Sequence, residues 1–219
     1  MKKQIISIST FFALATLGQA AVIINEALIS TTSTDGEFIE LYNTGPDAVD
    51  IQGWSILEYE SDSGAAFGTL DDTFTIPTGA PITVAAGGYY LIGNITFITD
   101  YGITPDLTLN LTVENTSVTL ALQDASLNLQ YTAFLTDGGV GDAANIGGTT
   151  ITPDISVGPD GSFLPAGYYL ILDGGSTAGV LEFSPKPAPS ATPGAANIPE
   201  PSVALLGVLG LLGLLRRRR

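Results

Sequence analysis

The stretch Glu37–Ile56 constrains the fold more than any other part of the chain, because it alternates apolar and polar residues in two runs. The first run, Glu37–Asn43, and the second, Val49–Ile56, have the two-residue period of strands that bury one face. Thr44–Asp47 between them contains glycine and proline, which are typical of a tight turn. We therefore predict a β-hairpin that contributes to the core of a β-sandwich.

One face of the first predicted strand carries a carboxylate between two aromatic side chains, in the order Phe38, Glu40 and Tyr42. An element that covers the two rings would also cover Glu40. A buried carboxylate requires hydrogen-bond donors or a cation. Structural hydrogen bonding is the preferred interpretation of Glu40, and open solvent or a bound metal ion are the alternatives.

Short runs of the same character continue along the chain and are separated by glycine, proline and asparagine, which favours an all-β sandwich. The predicted strands are Ala21–Ile29, Glu37–Asn43, Val49–Ile56, Thr73–Ile76, Pro81–Val84, Tyr89–Gly93, Leu107–Val113, Val118–Leu122, Leu127–Tyr131, Tyr168–Leu172 and Val180–Phe183. Glu58–Asp72 is expected to be a loop with at most a short strand near Ala66–Leu70. Asn94–Ile103 has room for one helical turn, and Thr136–Gly148 is expected to be a glycine-rich loop.

Proline content marks the end of the predicted sandwich. The segment after Ser184 contains several prolines, which favour an extended conformation over regular structure. We expect the sandwich to occupy residues 21–184 and a closing segment with a linker to occupy residues 185–198.

The charge of the chain is strongly asymmetric, with 22 acidic residues, 7 basic residues and no histidine or cysteine. Six of the basic residues lie at the two ends. Without both ends the body has 21 acidic residues and one basic residue, Lys186, and a net charge of −20. Such a surface repels polyphosphates, so we expect no nucleic-acid partner. The missing cysteines and histidines exclude disulfides, thiol nucleophiles and a serine–histidine triad.

Calcium is the one metal ion for which the sequence offers candidate ligands. Asp137 and Asp142 flank the glycine-rich loop, and Glu40 is the third candidate. Oxygen-rich loops bind Ca²⁺, although the spacing of an EF-hand loop is absent. Chance pairs of carboxylates are expected in so acidic a chain, so they do not indicate a glycosidase. We therefore predict no catalytic residues and no cofactor other than calcium.

The first twenty residues have the pattern of a secretory signal peptide. Two lysines precede the apolar run Ile5–Leu17, which is too short to span a membrane as a helix. Gly18 and Ala20 place small residues before a cleavage point, and Ala21 follows it. We expect residues 1–20 to engage the Sec translocon and signal peptidase, with an uncleaved anchor or a buried helix as alternatives.

The C-terminal segment 199–219 combines a short motif, an apolar run and a basic end. Val203–Leu215 reaches only about 20 Å as a helix, and the arginines resist translocation. The segment resembles the PEP-CTERM sorting signal of Gram-negative bacteria, which implies processing by the membrane peptidase exosortase; a permanent anchor is the alternative. The predicted processing residues are Pro199, Glu200, Pro201, Arg216, Arg217, Arg218 and Arg219.

Several motifs in the body resemble the lamin tail domain. The residues concerned are Ile24–Glu26, Glu37–Asn43, Val49–Ile51, Gly53–Trp54, Gly87–Ile92, Val118–Leu120, Asp124 and Thr192–Asn197. The resemblance implies an immunoglobulin-like β-sandwich used for binding or scaffolding, here flanked by a signal peptide and a C-terminal hydrophobic helix. In members of this family a glycine turn is common where this chain has Leu127 and Asn128.

The sequence thus predicts an exported, non-enzymatic β-sandwich that is held transiently in the inner membrane and then reaches the cell surface or extracellular matrix. A structural or adhesive role is the leading hypothesis. The alternatives are a module that binds extracellular polysaccharide, with or without Ca²⁺, and a secreted hydrolase.

Overall fold

A computed structural model describes residues 22–29, 36–161, 163–181 and 187–197. Over these residues the chain forms strands and one short helix. The elements are β1 (Val22–Leu28), β2 (Phe38–Asn43), β3 (Val49–Asp50), β4 (Ser55–Glu60), β5 (Leu70–Thr75), β6 (Thr83–Val84), β7 (Tyr89–Gly93), α1 (Ile95–Tyr101), β8 (Leu107–Thr108), β9 (Val118–Gln123), β10 (Leu129–Leu135), β11 (Asn145–Ile146), β12 (Thr149–Thr150), β13 (Ile155–Val157), β14 (Gly167–Leu170) and β15 (Ala178–Leu181).

Two sheets contain most of these strands. The six-stranded sheet has the order β15-β14-β1-β2-β7-β8, and the five-stranded sheet has the order β13-β10-β9-β4-β5. Neighbours are antiparallel except for the parallel pairs β7–β8 and β10–β13. The short pairs β3–β6 and β11–β12 lie outside the two sheets.

The core lies between the two sheets and contains alternate residues of strands from both. Ile24 and Leu41 from the six-stranded sheet share one buried cluster with Ile56 and Leu120 from the five-stranded sheet. Trp54, which immediately precedes β4, is buried in the same cluster. The predicted β-sandwich is therefore confirmed.

The outer face of the six-stranded sheet is also covered, by α1 and residues 187–197. The Phe97 ring of α1 lies 5.2 Å from that of Phe38 on β2, and both side chains are fully buried. The Asn94 side chain caps the start of α1 by accepting a 2.8 Å hydrogen bond from the Phe97 N–H. Gly102, at φ +66°, ends the helix. The segment with room for a helical turn thus forms a seven-residue helix.

The predicted hairpin of Glu37–Ile56 is wrong. β2 pairs with β1 and β7 in the six-stranded sheet, and the short β3 pairs with β6. The chain then crosses to the five-stranded sheet, where Ser55–Glu60 forms β4. The alternation correctly identified buried residues on both sides of the turn, but it carried no information on which strands pair.

Three other predictions also need correction. Residues 61–69 form the predicted loop, but the ends of the Glu58–Asp72 segment are strands, because β4 extends to Glu60 and β5 begins at Leu70. Only Leu107–Thr108 of the predicted strand Leu107–Val113 is a strand, although Leu111 and Val113 are buried. Leu127 lies in a turn and is 77% exposed.

Within the residues that the structure describes, no helix has the length and apolar character needed to cross a membrane. The predicted signal peptide and the predicted C-terminal helix lie outside those residues, as do the processing residues Gly18, Ala20 and Ala21 and those of the C-terminal signal.

Candidate functional site

The closing segment Thr192–Asn197 returns to β1 and β2 and satisfies buried carboxylates there. Glu40 Oε1 accepts a 3.0 Å hydrogen bond from Asn25 Nδ2, and Glu40 Oε2 accepts a 2.6 Å bond from the Gly194 N–H. Glu26 accepts hydrogen bonds from the Thr192 N–H at 3.0 and 3.2 Å. We call this arrangement the clasp; it agrees with the structural interpretation of Glu40.

Asp173 connects the clasp to the chain that follows β14. Asp173 Oδ1 accepts hydrogen bonds from Asn25 Nδ2 at 2.8 Å and from the Asn197 N–H at 3.2 Å. Asp173 Oδ2 accepts a 2.7 Å bond from the Tyr89 hydroxyl. The clasp is therefore a network in which amide and hydroxyl donors, rather than side-chain cations, surround three carboxylates.

Burial and mutual repulsion shift the proton affinity of these acids. Glu26 and Glu40 face each other across β1 and β2. Burial, and then the charge of Glu40, raises the pKa of Glu26 to about 8. Burial also raises the pKa of Glu40 to about 7, although hydrogen bonds from Asn25 and Gly194 oppose the rise. The clasp therefore holds protons at pH values where exposed carboxyl groups are ionised.

A second acidic group lies where β4 and β10 end, and it includes two of the predicted calcium ligands. One carboxylate oxygen from each of Asp62, Asp137 and Asp142 lies within 4.8 Å of the others. Asp142 accepts hydrogen bonds from the Ser63 N–H at 3.0 Å and from the Ser117 hydroxyl at 2.8 Å. Burial raises the pKa of Asp142, but these bonds outweigh it and the net shift is downward.

The other two carboxylates of this second group accept hydrogen bonds as well. Asp62 accepts a 3.1 Å bond from the Ser117 N–H, and Asp137 accepts a 2.9 Å bond from the Gly139 N–H. Each of the three carboxylates in the group therefore accepts at least one hydrogen bond from a protein N–H or O–H group.

A third acidic group lies beside the second, at the end of β4 and the start of β5. One oxygen from each of Glu60, Asp71 and Glu114 lies within 4.8 Å of the others. Glu60 is buried, whereas Asp71 and Glu114 are exposed. Glu58, two residues before Glu60 on the same face of β4, is fully buried, and its Oε1 accepts a 2.7 Å hydrogen bond from the Glu114 N–H. This concentration of oxygen atoms is suited to a hard divalent cation.

The lamin tail domain family matches residues 16–145, which is more than half of the chain. The chain belongs to this family. No curated protein matches it. The matched region contains β1 to β10 and all three residues of the third acidic group, whereas β14, β15 and the closing segment lie beyond it.

The structure of this lamin tail domain separates the predicted calcium ligands. Glu40 belongs to the clasp on the outer face of the six-stranded sheet, whereas Asp137 and Asp142 follow β10 of the other sheet and are joined by Asp62. Sequence reasoning missed the third acidic group because it placed the end of β4 in a loop. One sequence signal could have revealed this group. Glu58 and Glu60 follow Ile56 at the two-residue spacing of a strand, so the strand could have been extended to include them.

A cavity of about 350 Å³ lies in this lamin tail domain on the chain that links β14 to β15. Its lining residues, none of them acidic, are Ile171, Leu172, Gly175, Ser176 and Thr177. The paired carboxylates that the hydrolase hypothesis needs are therefore not found in this cavity. The eight tyrosines are all buried or half-buried, so none offers the exposed ring expected of a polysaccharide platform.

Proposed function

We propose that this lamin tail domain is a non-enzymatic module, exported through the Sec translocon and sorted to the cell surface or extracellular matrix of a Gram-negative bacterium. There it has a structural or adhesive role. Signal peptidase removes residues 1–20, and an exosortase-type peptidase acts on the C-terminal segment, which contacts the inner membrane until it is processed.

The observation that supports this proposal best is how the described fold holds Asn197, close before the proposed sorting motif. Asn197 donates from its side chain to the Leu170 carbonyl at 2.7 Å and from its backbone to Asp173. Pro199, the first residue of the proposed sorting motif, follows two positions later. Cleavage within 199–219 would leave the described hydrogen bonds of Asn197 and of the clasp in place.

The acidity of the body also supports an extracytoplasmic role. No lysine, arginine or histidine occurs in residues 22–29, 36–161, 163–181 or 187–197, so the folded module has an acidic surface. Such a surface keeps a protein soluble and disfavours contact with anionic lipid headgroups after release.

Fractionation and intact-mass analysis of the exported protein test the proposal. In wild-type cells we expect a surface or medium fraction whose mass lacks residues 1–20 and Arg216–Arg219. In a strain without exosortase we expect a heavier, membrane-retained form. Glu200→Ala should behave like the strain without exosortase, whereas Asp47→Asn, which removes one exposed acid from the body, should behave like wild type. Release from both strains with identical mass would contradict the proposal.

A further inference from the structure

The cavity on the link between β14 and β15 lies beside Asn197. This residue donates from Nδ2 to the Leu170 carbonyl at 2.7 Å and from its backbone N–H to Asp173 Oδ1 at 3.2 Å. Ile171 and Leu172, which line the cavity, lie in the chain between these two acceptors. Consecutive Cα atoms are about 3.8 Å apart, so the residue after Asn197 starts next to the cavity.

Hydrogen bonds within the link fix the shape of this cavity. The Ile171 N–H donates to the Thr177 carbonyl at 2.9 Å. The Gly175 N–H donates to the Leu172 carbonyl at 2.8 Å and closes a turn in which Gly174 has φ +71°. The cavity is therefore formed by the fold itself, and its volume of about 350 Å³ is within the range of about 300–1,000 Å³ that is usual for binding sites.

The lining of the cavity is uncharged and partly apolar, although the domain is strongly acidic. Leu172 is 58% exposed and Ile171 is 36% exposed, so both keep apolar surface that a further group can cover. The other described lining residues are glycine, serine and threonine. An occupant that carries a carboxylate nearby is repelled by the acidic surface elsewhere, whereas this lining adds no charge of its own.

The sequence after Asn197 supplies an occupant of matching character. Ile198 is apolar, and Pro199 after it has a fixed φ and no N–H group that needs a partner. Glu200 is the single acidic residue of the segment 198–219. The Ile198 side chain can therefore enter the cavity while the Glu200 carboxylate stays in water.

We propose that Ile198 docks into this cavity and holds the start of the C-terminal segment against the link between β14 and β15. The tether to Asn197 gives Ile198 an effective concentration of about millimolar or more, an advantage that a second copy or a free ligand lacks. One consequence rests on the proposed function: the peptidase meets the motif Pro199–Pro201 at a fixed place beside the domain. The docking itself does not depend on export.

Cysteine labelling of the purified full-length chain, with every variant in the same detergent, tests the docking, because the chain has no cysteine of its own. Ser176→Cys places a thiol in the lining with little change of shape, and its rate of reaction with a small maleimide depends on access. We expect Ile198→Ser to raise this rate about fivefold, which corresponds to about four fifths of the parent molecules being docked. Ile198→Leu should keep the protection.

Thr44→Cys is the matched control. Thr44 is exposed and lies against Gly174 of the same link, but it is not among the described residues that line the cavity. Its labelling rate should not change when Ile198 is replaced by serine.

Three results would overturn the docking. One is equal labelling of Ser176→Cys with isoleucine and with serine at position 198. Another is faster labelling at both cysteines in Ile198→Ser, which indicates a general loosening of the link. The third is protection that disappears on about hundredfold dilution, which assigns the cavity to a second copy of the chain. Intact protection together with failure of the fractionation experiment would instead contradict the proposed function alone.

Discussion

Glu40 on β2 and Gly194 in the closing segment are joined by a 2.6 Å hydrogen bond from the glycine N–H to Oε2. The two residues are 154 positions apart in the chain. Gly194 follows Pro193 and has φ +78°, the pattern of a type II turn, and the Ala195 N–H closes that turn on the Thr192 carbonyl at 2.9 Å. The turn therefore presents a backbone donor to a buried carboxylate.

Substitutions at both ends of this bond should destabilise the domain. Glu40→Ala leaves the Gly194 N–H and one of the two Asn25 amide protons without an acceptor, which costs about 1–3 kcal/mol for each. The other amide proton keeps its bond to Asp173. Gly194→Ala forces alanine into the left-handed region and costs about 1–2 kcal/mol. A Cβ at this position meets nothing within 4 Å, so that cost comes from the backbone alone.

Urea unfolding measures both effects. Gly64→Ala is the matched control, because Gly64 has no positive φ and a Cβ there also meets nothing within 4 Å. We expect the control to unfold at the wild-type urea concentration. Equal midpoints for Gly194→Ala and Gly64→Ala would show that the turn does not hold the left-handed conformation in solution.

The clasp also predicts that the domain loses stability as pH rises through the neutral range. The pKa of Glu26 is about 8 in the folded chain, against 4.5 for an ordinary glutamate. Between these two values the folded chain binds more protons than the unfolded chain, so the free energy of unfolding falls with pH. The stability that protonated Glu26 contributes is fully present below about pH 4.5 and is lost above about pH 8.

Glu26→Gln tests this pH dependence, because glutamine keeps an acceptor for the Thr192 N–H but cannot ionise. We expect the loss of stability between about pH 5 and about pH 9 to shrink by on the order of 3 kcal/mol in the variant. The variant should be more stable than wild type at the upper pH and no more stable at the lower. Parallel pH profiles would contradict the assignment of the effect to Glu26.

Strand β4 shows most clearly how much of this fold the sequence predicts. Alternation identified Ile56 as a core residue, and it continues to Glu58 and Glu60, but two glutamates on a core-facing side look like the end of a strand. The strand extends to Glu60 because its backbone still pairs there with Val118 of β9, and with β5 as far as Tyr59. A hydrophobic pattern indicates which face of a strand is buried, but it does not indicate which other elements pack against that face.

The clasp shows a related limit. The sequence identified Glu40 as an unusual carboxylate and predicted that hydrogen bonds satisfy it, which the bonds from Asn25 and Gly194 confirm. It gave no means of locating Gly194, because a contact across 154 residues is set by the pairing of β1 with β2 and β14. Residue chemistry thus predicted the kind of interaction, and topology determined its partner.

The backbone of Leu127 is strained, and replacing this residue with glycine should stabilise the domain. It has φ +65°, a conformation that costs a residue with a side chain about 1–2 kcal/mol. Its side chain is 77% exposed, so little buried apolar area is lost on removal. The turn is held by Asp124, which accepts hydrogen bonds from the Ser126 N–H at 2.8 Å and the Asn128 N–H at 2.9 Å.

Leu127→Gly should therefore raise the free energy of unfolding by about 0.5–1 kcal/mol, after the added entropy of glycine in the unfolded chain is counted. Leu127→Ala is the control, since it also removes the exposed side chain but keeps a Cβ at positive φ, and it should not stabilise the domain. If both variants are stabilised equally, the benefit comes from losing the exposed leucine rather than from the backbone.

Two truncations should separate the fold from the proposed sorting segment. A chain that ends at Asn197 keeps every hydrogen bond of the clasp, whereas a chain that ends at Ala191 lacks the Thr192 donors to Glu26 and the Gly194 donor to Glu40. We expect the first to unfold within about 2 °C of the full-length chain and the second several degrees lower, because two buried carboxylates lose their partners. Thermal unfolding followed by circular dichroism compares the three chains, with identical N-termini. If the chain ending at Asn197 loses as much stability as the shorter one, residues 198–219 belong to the folded module and their removal during sorting would unfold it.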